Sequence, residues 1–153
     1  MCKQNCYKFL KDFDNYNISF EEHNSVLIDF ICDVLMTEGN LKILNISSEI
    51  EMEYRYYLTQ AQSYLNHNIT NEELTSARLA CWKTHDVWEY DNANRHLARI
   101  IVFCLYDEFD HIQLSYNNKY DPVENFLLCT NVLDELGEGY CCQFTNYLKG
   151  RWL

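Results

Sequence analysis

Between residues 70 and 111 apolar side chains recur at helical spacing in two runs, and this stretch predicts the frame of the molecule. Leu74, Ala77, Cys81, His85 and Trp88 follow one another at intervals of three and four, which places them on one face of a helix. Polar residues at 90–94 interrupt the pattern, and Leu97, Ile101, Cys104 and Leu105 take it up again. Two amphipathic helices joined by a short link bury such stripes against each other, antiparallel. Thr70 and Glu73 have the spacing of a capping box, in which hydroxyl and carboxylate reciprocally satisfy two backbone donors at the helix start.

The same periodicity organises the rest of the chain. Residues 4–13 predict a short helix with Tyr7, Phe9, Leu10 and Phe13 available for burial. A second capping box, Ser19 with Glu22, opens a helix that runs to about Thr37, with a tight turn expected at Gly39 and Asn40. Phe20, Leu27, Phe30, Ile31 and Val34 share its inner face, while Glu22, Asp29 and Asp33 fall on the opposite one. A third helix starts at Ser47 or Ser48, turning Ile50, Tyr54, Tyr57, Leu58, Ala61 and Leu65 inward and Glu49, Glu53, Tyr56 and Gln60 outward. After a polar loop at 115–120, Asp121 caps a helix with Pro122 at its first position. Val123, Phe126, Leu127 and Leu133 point inward there. Gly137 and Gly139 break that helix, and residues 140–149 form a last one. Residues 41–46 alone have the composition of a strand pair. The expected fold is all-α, a single domain over residues 1–153, as a bundle of about six helices around the central antiparallel hairpin.

Composition sharpens this picture. At 153 residues the chain is long enough to bury about two thirds of its unfolded surface. Four Gly and one Pro suit long helices with short connections. The net charge is −11, and between Asp12 and Glu53 ten acids face only Lys42. Such a field repels nucleic-acid phosphates and attracts basic partners, although a solvated acidic face serves solubility equally well. The eight cysteines lie mostly on apolar stripes, where they act as small core residues, and all are expected to be free. The opening residues show no apolar segment of secretory type, and the longest apolar run, at 100–106, is too short to span a bilayer. The expected compartment is the reducing cytoplasm.

Motifs for catalysis are sparse. Glu108 and His111 have the Glu-x-x-His spacing of di-metal bundles, but that site needs a second such motif and two further glutamates. The simpler expectation is that Glu108 ends a core stripe and pairs with Arg78 across the hairpin. Cys2 and Cys6 lack a second pair of zinc ligands. Cys81 and His85 stand one turn apart, as a nucleophile and base would, yet the stripe buries both, where a thiolate is disfavoured. His85 is expected to be a structural core residue. Phosphate-binding loops and a nucleophile elbow are lacking. The expectation is a protein that is not an enzyme, with no cofactor and no metal.

Residues 77–95, Ala-Arg-Leu-Ala-Cys-Trp-Lys-Thr-His-Asp followed by Val-Trp-Glu-Tyr-Asp-Asn-Ala-Asn-Arg, resemble the small all-α immunity proteins of bacterial polymorphic-toxin systems. The resemblance implies an inhibitory protein that binds a cognate toxin inside the producing cell, commonly through an acidic surface laid over a basic nuclease site. It transfers no binding residue, because those interfaces differ between members.

The expected function is therefore an inhibitory protein-binding module that covers a basic surface or active site of a toxin. Direct binding of nucleic acid or membrane is not expected. The alternatives are a phage-encoded inhibitor or nucleic-acid mimic directed at a defence nuclease, and a metal-dependent helical enzyme using Glu108 and His111. The expected partner surface is two acidic ridges flanking one groove: Glu22, Asp29 and Asp33 on the second helix, and Glu49, Glu53 and Tyr56 on the third.

Overall fold

The computed structural model describes residues 2–12, 18–114 and 122–152, apart from the side chains at 2, 3, 111, 114, 122 and 123. The expectations for Phe13, residues 115–120, Asp121 and Val123 lie outside the described residues or side chains. All regular structure among the described residues is helical. Nine α-helices occur there, more than the six expected: α1 (Cys2–Asp12), α2 (Phe20–Phe30), α3 (Glu38–Ile43), α4 (Ser48–Leu65), α5 (Asn71–Asp86), α6 (Ala93–Phe103), α7 (Glu108–Leu114), α8 (Pro122–Leu136) and α9 (Tyr140–Trp152). No helix among these residues is long and apolar enough to cross a membrane.

Helix starts follow the local chemistry. Both capping boxes form, at Ser19 with Glu22 and at Thr70 with Glu73. Ser47 caps α4, its hydroxyl accepting the Ile50 N–H at 3.3 Å. Removing such a cap costs about 1 kcal/mol. After α2 the chain widens into a π-turn at Ile31–Leu35. Arg55 then donates to the Met36 carbonyl at 2.8 Å.

Residues 41–46 are not a strand, and Gly39 and Asn40 are not a tight turn. Thr37 caps α3, and Leu41 is its buried contact. The helix ends where Asn45 adopts φ 58°, with the Ile46 N–H donating to the Leu41 carbonyl at 2.9 Å. That is a Schellman closure, and Asn is one of the few side chains that tolerates the left-handed position. His67, at φ 60°, ends α4 in the same way, the Asn68 N–H reaching the Ser63 carbonyl at 2.8 Å.

α5 and α6 lie antiparallel: Cys81 Sγ donates to the Ala98 carbonyl at 3.5 Å, and Trp82 Nε1 to the Tyr106 hydroxyl at 3.2 Å. α6 packs against α4, α5 and α8. Leu97, Ala98, Ile100, Ile101 and Val102 are consequently all buried. The core is one contiguous cluster running from Leu10 to Leu148.

The helix containing Leu97 does not continue to His111. It stops at Phe103, and Asp107 starts a separate helix by accepting the Asp110 N–H at 2.6 Å. This reset moves the partner of Arg78 from the expected Glu108 to Asp110, at 2.7 Å. Arg78 also lies over the Tyr106 ring, 4.5 Å from its centroid, and Asn71 donates to the other oxygen of Asp107. The network fastens α7 to α5.

Candidate functional site

The two expected acidic ridges meet different fates. On the first, Asp29 Oδ2 is paired with Arg151 Nη1 at 2.7 Å. Asp33 Oδ2 accepts the Tyr147 hydroxyl at 2.8 Å. Both partners belong to α9, so these carboxylates hold the last helix against α2. Burial and the bond to Asp33 push the Tyr147 hydroxyl up to about 12, which keeps it a proton donor at any ordinary pH. Glu22 is exposed and completes the capping box.

On the second ridge, Glu53 turns inward. Its Oε1 accepts the Tyr57 hydroxyl at 2.7 Å and also the Thr84 hydroxyl on α5. Burial, joined by the neighbouring carboxylate, pushes the Tyr57 hydroxyl well above the usual tyrosine range. Glu49 and Tyr56 remain at the surface, Tyr56 accepting from Gln60 at 2.7 Å. Of the six residues expected to meet a partner, Glu49 and Tyr56 are therefore exposed on one edge of α4. Asp29, Asp33 and Glu53 each have partners within the chain.

Around that edge the structure gathers what sequence reasoning missed. Ile43, Met52, Tyr56, Val87 and Tyr90 are each more than half exposed. Ile43 precedes the turn into α4, Met52 lies on α4 one turn after Glu49, and Val87 and Tyr90 occupy the link between α5 and α6. Glu49 on α4, Asp86 at the end of α5, and Glu89 and Asp91 in the link are exposed as well. Apolar anchors among like charges are a common composition for a protein-binding surface.

Between the start of α4 and the α5–α6 link lies a recess of about 310 Å³. Leu44, Ile50 and Ala93 supply its apolar wall, and Asn45, Ser47, Trp88, Asn92 and Asn94 its polar one. Trp88 and Asn94 each also carry a polar atom buried from solvent, Nε1 and Oδ1, with no hydrogen-bond partner among the described residues. Leaving one such group unpaired costs about 1–3 kcal/mol. The polar interruption at 90–94 was visible in the sequence, but the lack of partners is a tertiary property.

The remaining titratable residues are structural in their surroundings. Cys81 is buried against the Ala98 carbonyl, and burial raises its thiol far above the usual range. His85 is buried, its Nδ1 is 2.9 Å from Asp86 Oδ1, and its ring meets Trp82 edge-on at 5.0 Å. His96 is buried 3.5 Å from Glu135, and desolvation lowers its pKa despite that carboxylate, helped by Arg99 and Arg95. The expectation of eight free thiols fails at Cys142, which is disulfide-bonded. Cys6, Cys32, Cys81, Cys104 and Cys129 are free. No cluster of three or more His, Cys, Asp or Glu that could hold a metal occurs among the described residues, and the side chain of His111 lies outside them.

Comparison with protein-family models, with curated proteins and with solved structures gives no match.

Proposed function

We propose that this protein is an inhibitory protein-binding module, an immunity protein that neutralises a cognate toxin by covering a basic surface or active site. The observation that carries this reading is the edge formed by α4 and the α5–α6 link. Met52, Tyr56, Val87 and Tyr90 are exposed on these segments, and so are Glu49, Glu89 and Asp91. Aromatic and apolar anchors supply affinity in such a surface, while the surrounding carboxylates speed encounter with a basic partner and fix its register. Within this reading α5 and α6 are the hairpin around which the other helices gather, and the link between them presents the partner. The same two helices carry most of residues 77–95, on which the resemblance to immunity proteins rests.

The proposed site of action is the cytoplasm of the producing cell, with a net charge of −11 drawing in a cationic toxin. The test is co-expression with the protein encoded beside this chain's gene. Protection from that protein's toxicity, lost on combining Glu49→Lys with Tyr56→Ala while the helical spectrum is retained, supports the reading. A neighbouring product that is harmless, or that this chain neither binds nor restrains, contradicts it.

A further inference from the structure

We propose that the recess bordered by the start of α2, the end of α4 and the start of α7 seats an arginine side chain of a basic protein partner. The inference rests on the protein-binding reading for the origin of that arginine, and the recess lies at the opposite end of α4 from Glu49. Its volume is about 210 Å³, and it has two kinds of wall. Phe20, Leu65 and Ile69 are apolar, whereas Glu21, Tyr64 and Glu108 are polar. A long cationic side chain uses both, because its stem packs on apolar surface while its head meets carboxylates.

Four carboxylates gather at this place, and two of them are already answered within the chain. Asp107 accepts from Asn71 with one oxygen and from the Asp110 N–H with the other. Asp110 is paired with Arg78 at 2.7 Å. These contacts hold α7 and so set the position of Glu108 in its first turn. Glu21 occupies the first turn of α2, where Glu22 closes the capping box. Neither the Glu21 nor the Glu108 carboxylate has an ion pair or hydrogen bond among the described residues. Both act on one atom: burial first, then Asp107, Asp110, Glu108 and Glu21, raise the Tyr64 hydroxyl above the usual tyrosine range. Two unanswered carboxylates from separate helices and one phenol thus share a cavity that no Lys or Arg among the described residues lines.

Charge and shape select the occupant. The four carboxylates disfavour an anion, and a neutral side chain leaves the field of Glu21 and Glu108 uncompensated. Guanidinium suits the recess better than ammonium. Its planar fork of five donors serves carboxylates on separate helices and a phenol oxygen together, and its face stacks on aromatic rings such as those of Phe20 and Tyr64. His67 is the one lining group able to carry positive charge itself. The measurement is therefore made at about pH 8, where an ordinary imidazole is neutral.

The probe is N-acetyl-arginine methylamide, added to the full-length protein while the Ile69 methyl resonances, assigned through Ile69→Val, are followed by NMR. It should shift them saturably and more tightly than the capped lysine. Capped citrulline, equal in shape but uncharged, should leave them in place at the same concentration. Glu21→Gln with Glu108→Gln should weaken the response about tenfold, as the loss of two partly exposed ion pairs requires. Both positions are exposed, so the fold is retained, and the helical spectrum checks this. Glu38→Gln with Glu138→Gln makes the same change of net charge at exposed positions outside the recess and should leave the response near that of wild type. The absence of a saturable arginine response overturns the proposal, and so does an equal response to citrulline or an equal loss in both double variants. Capped lysine binding as tightly overturns the choice of guanidinium. Free arginine binding more tightly than the capped form overturns the partner origin and assigns the recess to a small molecule. No partner protein enters this measurement, so its failure leaves the co-expression test of the α4 edge untouched and the two readings fail separately.

Discussion

Asp29 and Asp33 at one place in the molecule, and Glu49 and Tyr56 at another, look alike as sequence: polar positions opposite an apolar stripe. In the structure they have different work. The first pair is occupied by Arg151 and Tyr147 of α9, and its contribution is to hold the last helix in place. The second pair is exposed beside Met52. The comparison teaches that helical periodicity identifies which residues leave the core, but not which of them a later segment of the chain will cover. An acid ridge is a partner surface only where nothing in its own chain has already answered it.

The strongest way to break this comparison is at Glu53, which sequence places with Glu49 and structure places with the core. Glu53→Ala removes the acceptor for the Tyr57 and Thr84 hydroxyls and should destabilise the protein by about 1–3 kcal/mol in urea unfolding. An effect near zero would return Glu53 to the exposed edge. Asp29→Asn and Tyr147→Phe, which weaken the α9 attachment, should each cost about 0–1 kcal/mol because these contacts remain partly exposed. Their signature is local: hydrogen exchange should rise in α9 and stay unchanged in α4. Exchange that rises equally in both would show that the two regions are not independent.

A smaller effect sharpens the same boundary from inside. His96 has a folded pKa below the ordinary histidine value because it is buried, between Glu135 on one side and Arg95 and Arg99 on the other. The unfolded chain therefore takes up the proton first, so stability is full above the ordinary histidine pKa of about 6.5 and falls as pH drops through it. Unfolding curves of wild type and His96→Gln should diverge on the acid side, wild type losing more. Parallel curves would show that Glu135 compensates the burial completely.

Much of the fold was legible because its signals are local. The capping boxes at Ser19 and Thr70 and the cap at Ser47 need only three or four residues to specify them, and each forms. The stripes of Leu74, Ala77 and Cys81 and of Leu97 and Ile101 are buried as their spacing requires. The six residues of α3 were misread because they are too few to show a period, and because the Leu and Ile positions at 41–46 suit a strand equally well. Arg78 was paired with the wrong acid because the break at Tyr106 and Asp107 depends on Asn71, thirty-six residues away. The inward turn of Glu53 depends in the same way on Thr84, and the unpaired atoms of Trp88 and Asn94 on everything that fails to reach them. Local order was written in the sequence, whereas the occupancy of polar groups was decided by distant segments.

The most direct test of the account is an association-rate comparison between the two edges, using the product of the neighbouring gene and ionic strength as the second variable. Glu49→Lys with Tyr56→Ala should slow association by about tenfold at low salt, and the difference should shrink as salt screens the field. Asp29→Asn with Asp33→Asn should leave the rate near that of wild type. If the Asp29 and Asp33 pair slows association and the α4 pair does not, the partner surface lies on the side of α9 and the central claim is wrong.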